Sequence, residues 1–76
     1  MHRFGKLINN NVHLCPKNGY VNGIAISNLN IYFNIHPEIA KQEGYYPIVE
    51  LEGVIEQPTE FKLINDEIYE VIVEEE

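Results

Sequence analysis

Turn-forming residues recur so closely along this chain that every segment between them is short. Asn9-Asn10-Asn11, Asn18-Gly19, Asn22-Gly23, Gly44, Gln57-Pro58 and Asn65-Asp66-Glu67 punctuate a sequence of 76 residues. Asparagine, aspartate and glycine tolerate the positive φ angles that tight turns demand, so each cluster predicts a reversal of the chain. A chain cut up in this way is expected to fold as hairpins closed around one small core.

The segments themselves alternate more often than they follow a helical period. Phe4 to Ile8 and Val12 to Cys15 flank the asparagine triplet and predict a first hairpin. Residues 16–23, with Pro16 and two Asn-Gly pairs, are expected to be a loop. Leu29, Ile31, Phe33 and Ile35 alternate with Asn28, Asn30, Tyr32 and Asn34, which predicts a half-buried strand. Ile24 and Ile26 have the opposite parity, so one strand over 24–35 would need a bend or bulge near Ser27-Asn28. Pro37 at a first helical position, Glu38 beside it and Gly44 as a left-handed stop predict one helix of about two turns over PEIAKQEG. Tyr45 to Leu51 is expected to resume as a strand, with Pro47 at a sheet edge or at the strand's start. Phe61–Ile64 and Ile68–Val73 predict a closing hairpin, and residues 73–76 a frayed acidic tail. The expected fold is a single α+β domain over residues 1–76, a small, mostly antiparallel β domain with terminal hairpins and one short helix.

Such a chain lies near the lower size limit for a self-sufficient core. Its one cysteine, Cys15, excludes an internal disulfide, so oligomerisation or docking is the expected source of added stability. No apolar run approaches the roughly 18 residues of a bilayer span, and the first residues lack the apolar core of a secretory signal. The expectation is a protein made in the cytoplasm with no membrane contact. Its net charge of −7 is unevenly placed. Residues 1–37 carry Arg3, Lys6 and Lys17 and no acid, whereas residues 38–76 carry all twelve acids against Lys41 and Lys62. That acidic half argues against direct binding of a nucleic-acid backbone, which needs clustered cations, and permits head-to-tail contact or a basic partner. It also suffices simply to keep a strand-rich surface in solution.

Candidate chemistry is sparse. His13 and Cys15 share a parity, but a structural zinc site needs four ligands and no spacing brings in His2 or His36. Glu50 and Glu52 alternate with apolar residues as a solvated strand face does, and so small a domain has little room for a catalytic cleft. The Asn-Gly pairs precede strand-like residues, which is not the setting of a phosphate-cradling loop. No catalytic, cofactor-binding or metal-ligating residue is expected. Candidate protein-binding residues are the polar row Asn28, Asn30, Tyr32 and Asn34, together with Tyr46, Glu50 and Glu52. Of the five tyrosines, Tyr32 and Tyr46 lie opposite the apolar rows and are the ones expected at the surface.

Gly5-Lys6-Leu7-Ile8-Asn9-Asn10-Asn11 with Cys15-Pro16-Lys17, then Asn34 to Glu38 and Gly44-Tyr45-Tyr46-Pro47-Ile48, resemble in order a group of short proteins. These are encoded in tail modules of phages and prophages of Gram-positive bacteria. The closing Ile68-Tyr69-Glu70-Val71-Ile72-Val73 is similar to the end of that pattern, although a tryptophan expected nearby is absent. Ile35-His36 also stands between the asparagine and the proline that the pattern joins directly. The resemblance implies a non-enzymatic structural protein of the tail, at the baseplate or fibre-attachment region. Its partners would be other tail or baseplate proteins, as a homo-oligomer or docked on a larger assembly, with no direct nucleic-acid contact. It would be found in the host cytoplasm during assembly and then in the virion or tail particle. No catalytic residue carries over. A different class of function also fits the acidic half: a phage-encoded inhibitor of a host defence enzyme, blocking its site or mimicking nucleic acid. That reading needs carboxylates such as Glu50, Glu52, Glu70 and Glu74 in rows at phosphate-like spacing.

Overall fold

A computed structural model of the chain describes residues 2–73. Its first hairpin joins β1 (Arg3–Ile8) to β2 (Asn11–Leu14) through Asn9 and Asn10, at φ +50° and +67°. Two successive left-handed residues give the turn that matches the natural twist of paired strands. The closing hairpin repeats the device, with Asn65 and Asp66 at φ +50° and +63° between β6 (Thr59–Ile64) and β7 (Glu67–Ile72). Between these hairpins lies β5 (Tyr46–Val49), antiparallel to β1 and parallel to β7, which completes a sheet of order β2-β1-β5-β7-β6. The architecture is a small α+β domain, mostly antiparallel, as expected.

Residues 16–23 are more ordered than a loop. Gly19–Val21 forms β3 and pairs with β4 (Ile24–Ile26) around Asn22 and Gly23, a separate two-stranded ribbon whose Val21 is buried.

The larger correction concerns residues 28–35, which form a helix, α1 (Leu29–Ile35), where alternation predicted a strand. Eight residues that alternate also repeat at intervals of four, and capping decides between the two readings. The Asn28 side chain accepts the Ile31 N–H and caps the first turn. Leu29 and Phe33, four apart, then face the core, while Ile31 and Ile35, also four apart, face outward. The bend anticipated near Ser27-Asn28 is therefore a change from strand to helix. α2 (Pro37–Gln42) follows after His36 leaves helical geometry ahead of Pro37, and it ends at Gly44, at φ +87°.

Of the two places expected for Pro47, a sheet edge or the start of a strand, the fold has the second. Pro47 is the second residue of an interior strand, opposite Phe4 of β1, and the pairing with β7 begins only at Ile48. Standing at the start of the strand, it precedes the β7 ladder, and the proline is tolerated for that reason.

Both faces of the sheet bury apolar side chains. On one face α1, α2 and the ribbon enclose Phe4, Cys15, Val21, Leu29, Phe33 and Ala40. Phe33 is the centre, with its ring 5.6 Å from that of Phe4 and 5.5 Å from that of Tyr45. Opposite, Ile48 and Ile68 are buried outside that cluster, with Ile68 fully enclosed. β6 curls back to within 8 Å, Cα to Cα, of β1 although β5 and β7 separate them in the sheet. Gly5 belongs to this second face: a Cβ there would lie 2.9 Å from the His13 carbonyl oxygen and 3.1 Å from Ile48 Cδ1.

Candidate interaction surface

The asparagine row predicted for a partner is largely engaged within the chain. Asn30 Oδ1 accepts the Phe4 N–H at 2.9 Å and faces the Cys15 thiol at 3.3 Å. Asn34 accepts the His2 N–H at 3.0 Å through Oδ1 and donates through Nδ2 to the carbonyls of His2, at 2.8 Å, and of Asn30. With Asn28 as the cap, three of the four residues in the row serve α1 itself or join it to the first strand. Phe4 lies one residue beyond the β1–β2 ladder, which begins at Gly5 and Leu14: its carbonyl accepts the Cys15 N–H at 3.0 Å, while its own N–H turns to the Asn30 side chain in place of a ladder carbonyl. Tyr32, the fourth, is half-buried with its ring centre 4.9 Å from that of His36.

Tyr46 is half-buried on the helix-free face, opposite Gly5. Glu50 and Glu52 are exposed in the irregular segment 50–58, beyond the end of β5, and so are not on a strand face. Glu70, another acid considered for a phosphate-like row, bridges inward instead: its carboxylate accepts the Leu51 N–H at 2.9 Å and the Thr59 hydroxyl at 3.2 Å. It thus holds both ends of segment 50–58 against β7. Glu74 lies outside the described residues, as does most of the acidic tail.

His13 and Cys15 diverge in environment, since His13 is exposed at the sheet edge and Cys15 is buried beneath α1. Burial pushes the Cys15 thiol above its ordinary pKa, against the opposing pull of the Cys15 and Phe4 backbone N–H groups, so the group is held as a neutral thiol. Among the described residues no three His, Cys, Asp or Glu side chains gather as a metal site would require. No helix among them is long and apolar enough to cross a membrane.

The surface features that sequence reading missed are apolar. Tyr20 is 76% and Ile24 64% exposed on the β3–β4 ribbon, beside an open hollow of about 370 Å³ lined by Asn18, Gly19, Tyr20, Ala25, Ile26 and Ser27. Leu14 on β2 and Leu63 on β6 are each about half exposed, and these two strands are the unpaired edges of the five-stranded sheet. Of the two open edges that the sequence suggests, at the N-terminal hairpin and at Pro47, the first is an edge and the second lies inside the sheet. The edge at β6 was not foreseeable, because a closing hairpin could have placed either of its strands outermost. Compared with protein-family models, with curated proteins and with solved structures, the chain matches none.

Proposed function

We propose that this chain is a non-enzymatic structural protein of a phage or prophage tail, associated with the baseplate or fibre region, which works through protein–protein contacts. The observation that carries the contact-making part is the pair of unpaired sheet edges, β2 and β6, each flanked by a half-exposed leucine. Open edges with apolar flanks are templates for strand addition. The tail assignment rests on the sequence resemblance described above.

Mass spectrometry of purified tail particles, together with electron microscopy of particles made without this chain, tests the proposal. The expected result is a fixed copy number per particle and loss of a distal tail feature on deletion. Complete particles that lack the polypeptide would overturn it.

A further inference from the structure

The chain holds two Asn-Gly pairs, and the fold treats them differently. Asn22 and Gly23 are the turn residues of the β3–β4 ribbon, at φ +51° and +80°, and both are exposed. A two-residue hairpin is closed by a hydrogen-bonded pair, here Val21 with Ile24, so the peptide linking Asn22 to Gly23 keeps its N–H outside the ladder. That peptide can turn over by changing only ψ of Asn22 and φ of Gly23, which converts a type I′ turn into type II′. Glycine accepts either sign of φ, and no heavy atom of the described residues lies within 4 Å of where a Gly23 Cβ would stand. The flip carries ψ of Asn22 to about −120°. The Gly23 nitrogen then eclipses Asn22 Cβ across the Cα–C bond, as a planar cyclic imide requires. A type II′ turn favours glycine at its first position, so the flipped turn is a minor state.

The other pair is locked. Asn18 is exposed, but Gly19 begins β3 opposite Ile26, and hydrogen-bonded pairs alternate along an antiparallel ladder, so this pair is bonded like Val21 with Ile24. A Cβ on Gly19 would lie 2.8 Å from Leu29 Cδ1. On the other side of Asn18, the Lys17 carbonyl accepts the Leu29 N–H at 2.8 Å. Turning the Asn18–Gly19 peptide would break strand pairing beside α1. Asn9-Asn10 and Asn65-Asp66 share the two positive φ values of the ribbon turn, but the second residue of each carries a side chain that hinders its nitrogen.

We propose that Asn22 is a site of self-modification, converted through Gly23 to a mixture of aspartate and isoaspartate at the tip of the ribbon. The Gly23 amide gives its proton to hydroxide, and its nitrogen uses the freed electron pair to form a bond to Asn22 Cγ. The Cγ–Nδ2 bond breaks, and Nδ2 takes a proton from water and leaves as ammonia, which restores the hydroxide. Water then opens the imide. Cleavage of the nitrogen–Cγ bond gives aspartate, whereas cleavage at the backbone carbonyl gives isoaspartate, with the chain running through Cβ and Cγ. Nothing is oxidised or reduced. The product places a negative charge between the exposed Tyr20 and Ile24, within residues 1–37, which carry no acid. Isoaspartate also adds a backbone carbon to the turn, which disturbs the Val21–Ile24 pairing on which the ribbon's register depends. The proposal stands apart from the assembly reading.

Incubation of the whole chain in mildly alkaline buffer, followed by peptide mass analysis, tests it. The mass gained when OH replaces NH2 is expected at Asn22 more than about tenfold faster than at Asn18, which must wait for the ribbon to open. Isoaspartyl and aspartyl peptides, which elute separately, are both expected. In concentrated urea the two sites should react at similar rates, because each is then an asparagine before glycine in a free chain. Gly23→Ala should suppress the reaction at Asn22 and leave that at Asn18 unchanged. Should that variant lose its circular-dichroism spectrum, the comparison of folded and urea-treated natural chain decides alone. Comparable rates at Asn18 and Asn22 in the folded chain overturn the proposal, as does a slower Asn22 or a product of aspartate only. So does an Asn22 that stays intact in the folded chain while the urea-treated sample reacts.

Discussion

Asn30 shows how one polar side chain can hold a small core together. Its amide oxygen is the partner of the Phe4 N–H, and Phe4 is almost fully buried against Phe33. Removing the acceptor leaves a donor without a partner at the margin of the core. Asn30→Ala is expected to cost about 1–3 kcal/mol in urea unfolding, and to speed the reaction of Cys15 with a thiol reagent in the folded state. Among the described residues, three groups hold their protons above the ordinary range and so bear on the response to alkali. Cys15 is raised by burial, Lys41 by its 2.6 Å hydrogen bond and charge interaction with Asp66, and Tyr69 by its 2.7 Å hydrogen bond to Glu67. Each group holds its proton more tightly folded than unfolded. Its contribution is therefore complete below the unfolded pKa and lost as pH rises through the folded one. The melting temperature is expected to begin falling from about pH 8.5, where an unfolded thiol ionises. Cys15→Ala should move that onset upward, towards the range in which the unfolded tyrosine and lysine titrate, and a melting series in pH steps reads it.

At the scale of elements, the stops matter as much as the strands. Gly44 ends α2 at φ +87°, where an added Cβ would meet nothing closer than Lys6 Cε at 3.5 Å. The cost of Gly44→Ala is therefore conformational, roughly 1 kcal/mol, with the fold retained. Glu70 does for the irregular segment 50–58 what turn residues do elsewhere. Glu70→Ala should leave the melting temperature within a few degrees of its original value while the Leu51 amide exchanges with solvent much faster, because that N–H loses its only carboxylate partner. Unchanged exchange at Leu51 would show that segment 50–58 is held by other contacts.

On the scale of the whole molecule, the sheet joins two small buried groups, one beneath the helices and one inside its own curl. Neither Phe33 on the first side nor Ile68 on the second lies in a cluster large enough to stand alone. Phe33→Ala is expected to cost about 3–5 kcal/mol and Ile68→Ala about 2–5 kcal/mol. Both should unfold in one transition by circular dichroism and tyrosine fluorescence. Separate transitions would show the two faces to be independent units.

The sequence by itself determined the hairpin turns, the helix over Pro37–Gln42 with its glycine stop, and the separation of charge along the chain. These are local properties: positive φ falls to asparagine and glycine, and a first helical turn accommodates proline. Residues 29–35 satisfy either period in sequence, and the local Asn28 cap together with the tertiary bonds of Asn30 to Phe4 and of Asn34 to His2 decides for the helix. Tertiary structure alone decided the interior place of β5, which Pro47 allows because its pairing with β7 begins one residue later. Which two strands are left as edges was likewise a matter of non-local pairing. The polar row at 28–34 was legible as a special feature, but its partners proved to lie mostly within the chain, since an asparagine's hydrogen bonds depend on which backbone the fold brings to it.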